Sequence, residues 1–125
     1  MEWRIILDDG FRSLTKATAY AKPGGWEIVL DLELMRSVAE EMMSGNAVSV
    51  GGKSVLVRRT SSQRLRTVKF EMNGRQIHAI EQNPEKPSRW GQLAREGHRV
   101  VQFRDEQTGK YVAVAVDGAV REYGR

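Results

Sequence analysis

The chain has 125 residues, 40% of them hydrophobic and 29% charged, with 20 Lys and Arg, 16 Asp and Glu, and no cysteine. Those totals describe one folded domain able to bury about two thirds of its unfolded surface, and they exclude a disulfide framework, a thiol nucleophile and a thiolate metal site. Apolar runs are only a few residues long, and the opening Met1–Asp9 is too acidic and too briefly apolar for a secretory signal, so a soluble cytoplasmic domain that enters no membrane is expected.

Trp3–Asp8 reads as a strand, Asp9-Gly10 as a turn, and Phe11–Ala21 as a further strand whose pattern also fits a helix. Ala21-Lys22-Pro23-Gly24-Gly25 is a breaker cluster, a loop before a strand over Trp26–Leu30. After Asp31, residues Leu32, Met35, Val38, Ala39, Met42 and Met43 recur at helical spacing. Asp31 can cap and Gly45 can stop the element, which predicts a helix over about 31–44. Gly51-Gly52 predicts a two-residue turn that sets Val48 opposite Val55 and Ala47 opposite Leu56.

Asn73-Gly74 predicts a type I′ turn, because both residues accept positive φ. It sets Phe70 opposite Ile77, Val68 opposite Ala79 and Arg66 opposite Glu81, with Glu71–Gln76 and Lys69–His78 on the other face. One apolar and one polar face is what a half-buried antiparallel sheet requires, and a slip of one residue destroys the sorting. The Asn83–Pro87 loop leads into a short helix over about 88–96, marked by Trp90, Leu93 and Ala94 and stopped by Gly97. His98–Arg104 is a strand neighbouring Tyr111–Val116, whose apolar side chains on both faces mark a central strand. Asp117-Gly118 predicts a third hairpin, with Val112 opposite Tyr123 and Val114 opposite Arg121.

The expected architecture is a single α+β domain over residues 1–125, its mainly antiparallel sheet built from hairpins and packed by two helices. No residue-level repeat accompanies the element order. A rhythm of four strands and a helix occurs in several folds that bind single-stranded nucleic acid, an analogy of element order alone.

Charge is unevenly placed. Between Lys53 and Arg75 lie seven Lys and Arg against Glu71 alone, a balance of +6 within a chain of net charge +4, so the remainder sums to −2. Such a footprint usually meets a partner. Arg58, Arg59 and Arg64 flank Thr60-Ser61-Ser62-Gln63, and Arg64 and Arg66 share an expected strand face with Val68 and Phe70. Planar guanidinium forks match phosphate oxygens, which makes Arg58, Arg59, Arg64, Arg66 and Lys69 the candidate nucleic-acid-binding residues. The competing reading is a solvated strand pair whose edge charges discourage aggregation.

Other patterns carry less. Gly51-Gly52-Lys53-Ser54 ends like a phosphate-binding loop, but Ala47 stands where that pattern needs glycine, and a hairpin is expected. Arg58-Arg59-Thr60-Ser61 has the form of a basic kinase recognition site, a pattern frequent by chance. His78 and His98 lack partners at metal spacing, and Lys69 beside His78 discourages its protonation. Asp8-Asp9 and Glu40-Glu41 are a turn and a helix face rather than acid–base couples. No serine-nucleophile signature occurs, so no catalytic residues, metal or cofactor are assigned. Trp90 and the Met35, Met42 and Met43 face read first as core, the latter also as an adaptable dimer surface. The function expected is non-catalytic binding of single-stranded or duplex nucleic acid with weak sequence preference. The alternatives are a homodimeric interaction module meeting an acidic protein partner, and a small enzyme of uncharacterised type.

Overall fold

A computed structural model describes residues 3–7, 19–22, 26–29, 31–45, 47–62 and 64–118. In chain order these form β1 (Trp3–Leu7), β2 (Ala19–Lys22), β3 (Trp26–Val29), α1 (Leu32–Ser44), β4 (Ala47–Val50), β5 (Lys53–Leu56), β6 (Arg58–Arg59), β7 (Arg66–Met72), β8 (Arg75–Glu81), α2 (Arg89–Arg95), β9 (Val100–Asp105) and β10 (Tyr111–Asp117). The fold class is α+β. Among the described residues the main sheet is antiparallel with six strands in the order β1-β10-β9-β8-β7-β6, while β2-β3 and β4-β5 are separate two-stranded hairpins. No helix among these residues is long and apolar enough to cross a membrane.

The local signals act as physical chemistry requires. The Asp31 carboxylate accepts from Leu34 N at 3.0 Å and starts α1. Met35, Val38, Ala39 and Met42, spaced by three or four residues, are its buried face. Gly45 N donates to Glu41 O at 2.9 Å and closes the last turn, and the Glu41 carboxylate reaches Ser49 N at 2.9 Å to seat β4 beside the helix. Ser88 caps α2 by accepting from Gly91 N at 3.1 Å. At the β7–β8 turn, Asn73 and Gly74 take φ of 51° and 83°, the two positive angles of a type I′ turn. The register that follows sets Phe70 opposite Ile77, Val68 opposite Ala79 and Lys69 opposite His78, as expected from the sequence. The β4–β5 pairing of Val48 with Val55 and Ala47 with Leu56 also matches.

Alternation sorts the sheet into two faces. Trp3, Ile5, Val68, Phe70, Met72, Ile77, Ala79, Val101, Phe103, Ala113 and Ala115 form one core with α1 and Val48. Within it the Phe70 and Phe103 rings meet edge to face at 6.2 Å, the geometry their quadrupoles favour. Val100, Val114 and Val116 face the other way and pack with Trp90 and Leu93 of α2. The second helix is short, so it covers only part of its face. The rest of that face is mainly polar, with the half-buried Ile80 among its charged and amide side chains.

Two expectations change. Tyr111–Val116 is central, but β10 is flanked by β1 and β9, and Trp3–Leu7 takes the positions the Asp117-Gly118 hairpin assigned to 119–123. Residues 119–123 themselves lie outside the described ones, and Gly118 does take a positive φ of 90°. Ala21 and Lys22, read as loop, end β2 against β3. The Asp9-Gly10 turn and most of the Phe11–Ala21 segment lie outside the described residues.

Candidate nucleic-acid interface

Within the basic stretch lies an edge hairpin in which Arg58 pairs with Thr67 and Arg59 with Arg66. The connecting loop is closed by its own hydrogen bonds. Thr60 N donates to Leu65 O at 2.9 Å, Arg64 N to Thr60 O at 3.0 Å, and Leu65 N to the Thr60 hydroxyl at 3.1 Å. Arg64 sits at φ 58°, a left-handed backbone that costs a non-glycine residue about 1–2 kcal/mol, so these bonds hold it there. Arg59 Nη1 donates to Arg64 O at 3.0 Å across the same loop. Arg58, Arg59 and Arg64 are all exposed around it. Arg64 lies outside β7 and does not share the face of Val68 and Phe70, a departure from expectation that follows from its left-handed backbone. The Arg58-Arg59-Thr60-Ser61 pattern is folded into this closed turn, with Thr60 half-buried.

Four of the five sequence-chosen side chains divide between two faces, because directly opposed residues share one side of a sheet, while Arg64 stays in the loop. Arg66 and its partner Arg59 belong to the α1 side. Arg66 is matched by Glu81: its backbone N donates to Oε1 at 2.9 Å, and Nη1 lies 3.5 Å from Oε2 and 3.4 Å from Met43 Sδ. Arg58, opposite Thr67, belongs with Lys69 to the side that α2 leaves partly open. Arg75, at the end of the basic stretch, turns into the core and donates to Asp105 Oδ2 through Nε at 3.1 Å and Nη2 at 2.6 Å. Asp105 is fully buried.

Sequence reading placed His78 opposite Lys69 but missed Arg104 and Glu106, which join them on the open face. Lys69, His78, Arg104 and Tyr111 are consecutive partners on β7, β8, β9 and β10, one row across four strands. Glu106, just past β9, lays its carboxylate over that row. Arg104 donates to Oε2 through Nε at 3.1 Å and Nη2 at 3.0 Å, His78 Nδ1 stands 3.6 Å away, and Lys69 Nζ lies 3.8 Å from Oε1. Arg104 Nη2 is also 3.4 Å from His78 Nδ1, a contact that suits a neutral ring accepting at that nitrogen. Burial lowers the His78 pKa below the ordinary 6.5, and the Arg104 and Lys69 charges add to this against the pull of Glu106. Burial alone would raise the Glu106 pKa, but the Arg104 hydrogen bond and the charges of Arg104, His78 and Lys69 hold it below 4.5. The signal for this row was the polar alternation of β8 continued onto β9, once the two strands are placed side by side.

The other sequence patterns settle simply. Gly51 and Gly52 take φ of 55° and 80° in the β4–β5 turn, and Lys53 opens a strand, so no phosphate loop forms there. His98 is tied to the β10 end, its Nδ1 2.9 Å from Asp117 O. Met35 and Met42 are fully buried beneath α1, and Met43 packs against the same core, so that face belongs to the chain's interior. Comparison with known protein families, with characterised proteins and with solved structures finds no match, and the functional reading rests on these side chains.

Proposed function

We propose that this protein is a non-catalytic binding domain that holds nucleic acid by its phosphate backbone, with weak sequence preference. The observation that carries the reading is the set of three exposed guanidinium groups, Arg58, Arg59 and Arg64, around one loop fixed by its own hydrogen bonds. Forked donors on a pre-organised loop suit phosphate oxygens and carry no base information. Arg66 and Lys69, both chosen from the sequence, contribute less at this site because Glu81 and Glu106 already answer them.

The test is oligonucleotide binding by fluorescence anisotropy across a salt series, for the parent and for Arg58→Ala, Arg59→Ala and Arg64→Ala combined. The parent should bind single-stranded and duplex probes of mixed sequence, with affinity falling steeply as salt rises. Losing three phosphate contacts should reduce the log–log salt slope by about 2–3. The melt should move little, since exposed charges contribute about 0–1 kcal/mol each. No oligonucleotide binding at low salt, with retention of an acidic protein that the triple variant loses, would replace the reading with that of a protein-interaction module. Light scattering would then test whether that module is a homodimer of the 14.1 kDa chain. A parent and triple variant that behave alike towards both ligands would leave a merely solvated face.

A further inference from the structure

Arg58, Lys69, His78 and Arg104 stand on four adjacent strands of the open face, β6 to β9. With neighbouring strands about 4.8 Å apart, they mark a basic track about 14 Å long that starts beside the arginine loop. Its inner end is already occupied. One Glu106 carboxylate meets a guanidinium at 3.0 and 3.1 Å, an imidazole at 3.6 Å and an ammonium at 3.8 Å. The guanidinium and ammonium donors, converging with the imidazole beside them on two oxygens of a single anion, form a set that would hold a phosphodiester. The backbone of Glu106 is anchored separately, its N–H donating to Gln76 O at 3.0 Å. The carboxylate can therefore leave the row by side-chain rotation while the loop stays in place.

We propose that Lys69, His78 and Arg104 form a phosphodiester site for a single nucleic-acid strand, continuous with the Arg58 loop, and that the Glu106 carboxylate fills this site as an internal anion until the strand displaces it. The proposal rests on the nucleic-acid reading above and extends it to the sheet face. A strand entering the row must break the Glu106 contacts, so Glu106 weakens binding and masks part of the salt dependence. The width of the track, one cation or imidazole per strand, suits a single strand lying across the sheet.

The experiment uses short thymidine and uridine homo-oligomers as probes against the parent and Glu106→Gln. The variant should bind both roughly five- to tenfold more tightly, the size of one partly screened charge pair. Its log–log salt slope should steepen by about 1, and changing Lys69 and Arg104 to Ala in that background should abolish the gain. In the parent, the His78 ring and Arg104 Nε resonances should shift when the same probe is added, a readout that requires no variant to fold. If the Arg58-loop amides shift while His78 and Arg104 do not, or if Glu106→Gln leaves affinity and slope unchanged, the sheet-face site is overturned and the loop reading stands. If neither parent nor variant binds a probe at low salt, both fall.

Discussion

Asp105 and Glu106 are consecutive carboxylates on opposite sides of one sheet, and burial gives them different roles. Asp105 is fully enclosed, with Oδ2 taking two donors from Arg75 and Oδ1 taking Gln107 N at 2.9 Å. Glu106 gathers more cations, yet its side chain keeps 27% of its surface in water. Enclosed, an ion pair is part of the architecture, because either partner left alone would be a charge in a dry place. Open, the same chemistry is exchangeable, because water or another anion can take either side. The residue type does not separate the two; the sheet face does.

The largest expected effect tests the enclosed member. Arg75→Met removes the cation and leaves Asp105 buried without it, which should cost about 3–5 kcal/mol in urea unfolding. A loss under about 1 kcal/mol would mean that Asp105 is readily rehydrated, and the contrast with Glu106 would collapse. A smaller effect comes from the turn that keeps the faces apart. Gly74 holds φ 83°, which a β-branched side chain resists, so Gly74→Val should lower stability by about 1 kcal/mol or more. Thermal melts decide it, and an unchanged midpoint would put the turn and the face assignment elsewhere.

The smallest effect sharpens the exposed side through its pH dependence. With its folded pKa below 6.5, His78 binds a proton more readily in the unfolded chain. Stability should therefore fall as pH drops from 6.5 towards the lowered value, and then level off. His78→Gln should flatten that segment of the curve. Glu106, with a folded pKa below 4.5, contributes stability above that pH and loses it as acid takes the pH through its folded value. Its window lies lower, so Glu106→Gln should flatten the acid end and, by removing a charge that raises the His78 pKa, carry the His78 fall to lower pH. A parent whose stability rises on acidification between pH 6.5 and 5.5 would refute the assignment of a neutral, crowded His78.

Local features were legible in the chain to the degree that they were self-contained. The Asn73-Gly74 register, the Gly51-Gly52 turn, the Asp31 cap and the methionine-bearing core face each depend on residues within a few positions of one another. The pairing of Arg66 with Glu81 followed from that register, and with it the neutralisation of one chosen site residue. Strand order was legible only in part: β9 beside β10 was expected, β1 on its other side was not. Nothing near Trp3 or Asp117 says that they lie side by side, and that pairing is what displaces the expected C-terminal hairpin of β10. The same limit hid the candidate site. Lys69 and His78 follow from the hairpin register, but Arg104 and Glu106 join them only once β9 lies beside β8, so a charge sum along the sequence counts Lys69 and Arg75 while missing the acids that answer them.

The contact between β1 and β10 has a consequence for how the molecule is assembled and how it could fail. Joining Trp3 to Asp117 closes nearly the whole chain into one loop, an entropic cost of about 4 kcal/mol before any contact compensates for it. The β7–β8–β9 meander closes far shorter loops, so it should be ordered first, with β1 arriving last. Until it arrives, or whenever it detaches, β10 presents a bare edge reading Tyr-Val-Ala-Val-Ala-Val, uncharged and rich in β-branched residues. Such an edge accepts a strand from any neighbouring chain, so the five residues of β1 guard the molecule against aggregation as well as completing its sheet.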